Sequence, residues 1–208
     1  MINSIVKLII KESGESFIGT GTFIKYKDTV LLATAAHCVY DFLKKKKMLC
    51  IEVLYRSKFS IRKLYVKDVF VNDDWCKNGL LNHDFAICTL ETEPKFPSYV
   101  FPVETSVSFT KKNNRKVNMI GIHECLFFDK ENRFYGLPNL KFWKSDNLLG
   151  GAIKFSKGAS GGPLLIKENN GLKKQIGVIS SVLSEYPNYS WGVVWGKEIF
   201  PLLRKAVS

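Results

Sequence analysis

An all-β fold in two halves, with a short helix at the C-terminal end, is what this sequence predicts. Three observations carry the expectation. Short runs rich in β-branched and aromatic residues follow one another, turn residues separate them at close intervals, and a proline-rich break falls near the middle of the chain. Composition supplies the core: 46% of the 208 residues are hydrophobic and 15 Phe, 8 Tyr and 4 Trp are present, at a length where about 70% of the surface can be buried on folding. Wholesale disorder is thereby excluded. No apolar run approaches the ~18 residues needed to cross a bilayer, so no membrane partner is expected.

The strand-like runs, in order, are Ser4 to Ile10, Phe17 to Tyr26, Thr29 to Ala33, Met48 to Tyr55, Ile61 to Val69 and Phe85 to Leu90 in the first half. Val117 to Ile122, Gly151 to Phe155, Pro163 to Ile166, Gln175 to Val182 and Trp191 to Trp195 follow in the second. Ser13-Gly14, Lys27-Asp28, Asn72-Asp73-Asp74, Asn113-Asn114 and Asn169-Asn170-Gly171 read as turns, a spacing that suits antiparallel sheets or barrels and not strands alternating with long helices. Helical periodicity is expected only from His37 to about Leu43 and at the end, where Ile199, Leu202, Leu203 and Val207 recur every three or four residues. Glu91 to Pro102, with Pro94, Pro97 and Pro102, reads as a connector, which places the halves at about 1–93 and 103–208 of a single domain.

The formal charge is +12, from 31 basic and 19 acidic residues. Lys44 to Lys47 and the looser cluster of Lys111, Lys112, Arg115 and Lys116 lie between apolar segments, as solvated loops do; a nucleic-acid or acidic-partner footprint would add interleaved aromatics, and none is evident. Five cysteines, an odd number without a C-x-x-C pair, exclude a complete disulfide framework. Neither His37-Cys38 nor Cys76, His83 and Cys88 has zinc-ligand spacing, so no metal is expected. Reduced thiols and a start that reads as a strand, with Lys7 inside its apolar run, predict a cytoplasmic protein.

Chemistry concentrates in three segments. Lys157-Gly158-Ala159-Ser160-Gly161-Gly162-Pro163 embeds a serine in glycines ahead of an apolar strand, where Gly158 can turn its N–H, with that of Ser160, toward one point able to stabilise an oxyanion. A plain glycine-rich turn fits that segment equally. Thr34-Ala35-Ala36-His37 sets an imidazole among small residues, either as a proton acceptor or as a packed histidine. Asp84 opens the apolar run Phe85-Ala86-Ile87; buried there, its carboxylate needs a partner such as the N–H of His37. Asp73 and Asp74 compete for the role from a polar loop, and His83 should point away from His37 if the chain is extended.

Taken together, T-A-A-H-C, D-F-A-I and G-A-S-G-G-P, in that order, resemble the chymotrypsin-like (trypsin-fold) serine peptidases, with separations of 84 − 37 = 47 and 160 − 84 = 76. The resemblance runs from about Ile5 to Leu203. It implies two six-stranded antiparallel β-barrels and a cofactor-free endopeptidase acting on polypeptides: His37 the general base, Asp84 its orienting carboxylate, Ser160 the nucleophile, and the N–H groups of Gly158 and Ser160 the oxyanion hole.

Two departures accompany it. The residue before the nucleophile is Ala159, where secreted digestive members carry an aspartate that pairs with a new N-terminus. Cys38 stands where the family often has a half-cystine, and the matching upstream position is read as Thr22. Both imply an intracellular or viral enzyme restrained by narrow specificity, a regulatory protein partner or a ligand-corrected oxyanion loop around Lys157-Gly158. For substrate, the resemblance implies backbone groups from Ser180 and Val182 and a pocket wall at Gly192. It also puts Lys154 where trypsins have their selecting aspartate, which would favour Asp or Glu before the scissile bond; a surface lysine is the other reading. A module of the same fold that only grips extended peptides or a nucleic-acid partner is the alternative function.

Overall fold

The computed structural model describes residues 4–48, 50–56, 60–94, 101–103, 117–122, 131–134, 141–142, 147–152, 155–181 and 183–208. The first half contains β1 (Ile5–Glu12), β2 (Glu15–Tyr26), β3 (Thr29–Thr34), the one-turn helix α1 (Ala36–Val39), two short strands β4 (Tyr40–Asp41) and β5 (Lys46–Lys47), then β6 (Cys50–Arg56), β7 (Ile61–Val71), α2 (Asp73–Asn78), a 3-10 turn at Leu81–His83, and β8 (Ala86–Leu90). β9 (Phe101–Pro102), β10 (Val117–Ile122), β11 (Glu131–Phe134), β12 (Lys141–Phe142), β13 (Leu148–Gly151), β14 (Pro163–Lys167), β15 (Lys173–Ser181), β16 (Ser190–Val194) and α3 (Ile199–Ala206) complete it.

Six antiparallel strands of the first sheet run in the order β1-β6-β7-β8-β3-β2, and pairing of β1 with β2 closes them into a barrel, abolishing both edges. β9 adds a parallel segment on β2, through Ile24 and Phe101, carrying the connector across. The second sheet has the order β11-β10-β14-β15-β16-β13-β12. The fold class and the first six-stranded barrel are as expected; the second half, expected as another six-stranded barrel, is a seven-stranded half-barrel sheet among the described residues.

The strands read as continuous apolar runs because both faces are covered, with side chains alternating between two cores. Leu32 and Phe23 point into the first barrel with Val6, Leu8, Val53 and Tyr55. Leu31 and Ala33, one position to either side, face outward with Phe85 and Ile87 and meet Val178, Trp191 and Val193 of the second sheet. Ile199, Leu202 and Leu203 of α3 enter this second cluster, so the helix seals the seam between the halves. A third cluster, with Met119, Phe155, Leu164, Ile176 and Ile179, fills the second sheet's interior. Each fully buried Leu or Ile contributes about 1.5–3 kcal/mol relative to exposure.

Two local expectations are corrected. The helix after His37 ends at Val39, because Tyr40 turns extended and pairs with Lys47. Asn72-Asp73-Asp74 is not a turn but a helix start: the Asn72 side chain accepts the Asp74 N–H at 2.8 Å, two acids occupy the first turn, and Gly79 ends α2 in the left-handed region. The run Gly151 to Phe155 begins where β13 ends, and 153–154 lie outside the described residues.

Candidate active site at the seam between the barrels

Strand register brings the first two groups together. Thr34 pairs with Ala86, so the residues just after β3 lie beside those just before β8. Asp84 caps the 3-10 turn and is 1% exposed on its side chain, whereas the His37 ring on α1 is 38% exposed. The carboxylate takes the His37 backbone N–H on Oδ1 at 2.9 Å and faces the ring Nδ1 with Oδ2 at 2.7 Å. Ser180, buried in β15, donates its hydroxyl to Oδ2 at 2.5 Å. Three donors thus satisfy a buried carboxylate whose desolvation alone would cost several kcal/mol.

The titrations follow. Burial pushes the Asp84 carboxyl up, but the charge and hydrogen bonds of His37 and the Ser180 hydroxyl outweigh it and hold it below the ordinary value of 3.8. Burial likewise pushes His37 down, while the Asp84 charge, the neighbouring Cys38 sulfur and the Asp84 hydrogen bond lift it well above 6.5. With the carboxylate ionised, the Nδ1 proton lies on the shared bond and Nε2 is the free acceptor of the neutral ring.

Ser160 arrives from the second half, between β13 and β14. Its Oγ donates to the Ser180 carbonyl at 3.3 Å and forms no hydrogen bond with His37. Ser180 therefore touches both partners, through its hydroxyl on Asp84 and its carbonyl on Ser160. The Ser160 carbonyl accepts the Thr20 N–H at 2.7 Å and lies 3.8 Å from Cys38 Sγ, next to the histidine. Gly161, at φ +84°, is obligatory: a Cβ there would overlap the Thr20 carbonyl oxygen and Thr34 Oγ1.

Upstream, Ser156 to Ala159 form a turn in which the Ala159 N–H donates to the Ser156 carbonyl at 3.3 Å and Gly158 takes φ +95° at the third position. That is the signature of a type II turn. The Ala159 carbonyl accepts from Gly162 N–H at 3.0 Å, which fixes the plane carrying the Ser160 N–H. Neither the Gly158 nor the Ser160 N–H has a partner among the described residues. Two backbone donors flanking a serine hydroxyl can receive an oxyanion.

Other expected residues fall as follows. Asp73 and Asp74 sit on α2, with Asp74 Oδ2 3.8 Å from His83 Nε2, so neither reaches His37. His83 lies in the 3-10 turn, its Nδ1 buried without a partner among the described residues. Gly192 is buried against the Leu164 side chain and the Val178 carbonyl. Lys157 is exposed; Lys154, Val182 and His123 lie outside the described residues. The cysteine-pairing position is corrected. Thr22 does not face Cys38; a Cβ at Gly19 would lie 3.1 Å from Cys38 Sγ. Two contributors were not foreseen, the hydroxyls of Ser180 and Thr20. A lone serine inside an apolar strand, which must find a partner once buried, was the available signal for Ser180.

Among the described residues no group of His, Cys, Asp and Glu could hold a metal ion, and no helix is long and apolar enough to cross a membrane.

A family model described as Trypsin matches residues 3–132, more than half of the chain and including His37 and Asp84. The chain belongs to the trypsin family, and its fold is that of the chymotrypsin-like serine proteases. Among solved structures it is similar to a thermostable serine protease, AL20, from an extremophilic microorganism (TM-score 0.80, 16% identity, 99% of this chain and 97% of that one). Similar too are the protease Anisep from Arthrobacter nicotinovorans (0.75, 16%, 99% and 95%) and a Glu endopeptidase in complex with MPD (0.72, 18%, 99% and 90%). No curated protein matches the chain.

Proposed function

We propose that the chain is a serine endopeptidase in which Ser160 is the nucleophile, His37 the general base and Asp84 the carboxylate that orients it. The observation that carries this reading is the ring of His37 locked through Nδ1 to a buried Asp84, with Ser180 bonded to that carboxylate through its hydroxyl and to the Ser160 hydroxyl through its carbonyl. Rotation of Ser160 about χ1 frees its hydroxyl from the Ser180 carbonyl. Nε2 then takes the proton as Oγ bonds to the scissile carbonyl carbon, and the oxygen's negative charge falls to the N–H groups of Gly158 and Ser160. The proton passes to the leaving amine, an acyl-enzyme remains, and water activated by the same imidazole releases the acid and restores Ser160.

Two finer readings belong to the same proposal. Substrates with Asp or Glu before the scissile bond are the first series to profile, on the position of Lys154 and the likeness to a Glu endopeptidase. A reducing compartment such as the cytoplasm suits the free thiols of Cys38, Cys50, Cys76 and Cys88. The decisive test is labelling by a fluorophosphonate, with the adduct located by peptide mass mapping. The label should sit on Ser160, and Ser160→Ala and His37→Ala should abolish it. An unlabelled wild-type protein, or label persisting in Ser160→Ala, overturns the assignment.

A further inference from the structure

Among the described residues, no ion pair anchors the segment that carries the two donors. Ala159 is 3% exposed, packed so closely on Gly121 that a Cβ added there would overlap the Ala159 methyl. From the other barrel, Thr20 makes the two shortest hydrogen bonds to the segment, and the Cys38 thiol adds a weak one to the Ser160 carbonyl at 3.8 Å. Thr20, on β2 and wholly buried, donates its hydroxyl to the Gly158 carbonyl at 2.6 Å and its N–H to the Ser160 carbonyl at 2.7 Å. Both carbonyls that bracket the Ala159-Ser160 peptide are therefore pinned by Thr20, the Gly158 carbonyl by its hydroxyl from 138 positions away in sequence and the Ser160 carbonyl by its N–H.

The remaining bonds of Thr20 show what it is tied to. Its Oγ1 also accepts the Ile122 N–H of β10 at 3.0 Å, and its carbonyl accepts the Thr34 hydroxyl at 2.8 Å, three residues before His37. Both its hydroxyl and its main chain are thus in use, linking the strand that leads to the imidazole with the turn that presents the hydroxyl. Pinning these carbonyls fixes the 158–159 and 160–161 peptide planes, which adjoin the planes carrying the Gly158 and Ser160 N–H groups, and so limits the rearrangement those donors can make when charge develops.

Resting on the peptidase reading above, we propose that Thr20 is a positioning residue for the oxyanion hole, acting through the carbonyls of Gly158 and Ser160. Thr20→Val keeps shape and N–H but deletes the hydroxyl; Thr20→Ser keeps the hydroxyl. Loss of one oxyanion-hole donor outright costs about 10²–10³-fold in kcat, and displacing donors that remain present should cost about 10- to 100-fold. Thr20→Val should accordingly lower kcat and the rate of fluorophosphonate labelling by that factor, with KM within about 3-fold, the split expected when only transition-state contacts weaken.

Thr20→Ser should recover kcat to within about 3-fold of wild type. If Thr20→Val does not fold, Thr20→Cys, whose thiol is a weak donor, replaces it. Val53→Ala, in the first barrel's core on β6, which carries none of the site residues, serves as the control matched in Tm loss and should keep its kcat. A Thr20→Val or Thr20→Cys enzyme as fast as Thr20→Ser, or one that loses only KM or only Tm, overturns the role of Thr20 and leaves the peptidase intact. A wild-type protein that does not label overturns the peptidase reading, and this role falls with it.

Discussion

Replacing Gly19 by cysteine should create a disulfide with Cys38. In a disulfide the S–S bond is about 2.05 Å, which leaves each Cβ about 3 Å from the far sulfur. A Cβ built on Gly19 lies 3.1 Å from Cys38 Sγ. Its next neighbours, Ile10 Cδ1 at 3.5 Å and the Ser160 carbonyl oxygen at 3.6 Å, are ordinary contacts, so no overlap opposes the change. The closed loop, 19 to 38, holds about 20 residues, for which the chain-entropy relation gives about 3 kcal/mol at 25 °C. At about 2–4 °C per kcal/mol for a protein of this size, Tm should rise by about 6–12 °C. Among the described residues, the change gives up the weak bond from the Cys38 thiol to the Ser160 carbonyl, at 3.8 Å, and the thiol's interaction with His37. Calorimetry of Gly19→Cys with and without reductant reads the effect, and mass spectrometry of an unreduced digest locates the bridge. The reduced variant should be no more stable than wild type, since an unbonded contact at 3.1 Å is tight. Failure of the 19–38 bridge to form refutes the geometry; a located bridge with an unchanged or lowered Tm refutes the loop-entropy reasoning.

The raised pKa of His37 predicts that kcat/KM falls on acidification along a limb centred above 6.5, because the protonated ring cannot accept the Ser160 proton. Asp84→Asn should move that limb to lower pH and cut kcat by about 10⁴-fold, the scale known for the family's archetype; an unshifted limb would show that Asp84 does not govern His37. The pair's contribution to stability is fully present below 6.5 for His37, whose folded value is raised, and above 3.8 for Asp84, whose folded value is lowered. The Tm gap between wild type and Asp84→Asn should hence be widest between those values and narrow as pH falls below 3.8 or rises through the folded His37 value. Ser180→Ala should cost about 1–3 kcal/mol in urea unfolding by leaving Asp84 Oδ2 one donor short, and an unchanged midpoint would show that water replaces the hydroxyl. Gly161→Ala should cost at least about 3 kcal/mol, since φ +84° and the overlap with Thr20 and Thr34 act together; a well-folded variant would disprove the close approach.

The residues legible in the sequence were those whose signal is local. His37, Asp84 and Ser160 each sit in a few residues of distinctive neighbours, and the structure brings His37 and Asp84 together and Ser160 beside them. Thr20 and Ser180 were not legible as partners because their hydroxyls bond to groups 138 and 96 positions away. The misplaced partner of Cys38 shows the parity of a strand: Gly19 and Thr22 are three apart on β2, so they face opposite sides, and only Gly19 faces the thiol. The capping signals of α2 were present in Asn72, two acids and Gly79, but the same residues favour turns, and the short length hid the helix. Much of the basic run 44–47 proves to be spent inside the molecule: Lys44 and Lys46 both reach Glu12, at 3.4 and 2.7 Å, and Lys45 donates to the carbonyls of Cys76 and Lys77.

The cluster in which β3 and β8 of the first barrel meet β15, β16 and α3 of the second also sets an order of events during translation. A ribosome releases the imidazole and its carboxylate first, on a half whose outward face, with Leu31, Ala33, Phe85 and Ile87, has nothing yet to cover it. Only after β15, β16 and α3 have emerged can that face dry, and only after β14 and its preceding turn can the serine segment bond to Thr20. A chain that has made only the first half therefore holds His37 and Asp84 but neither Ser160 nor the Ser180 hydroxyl on Asp84, so the three groups meet only once the second half is in place.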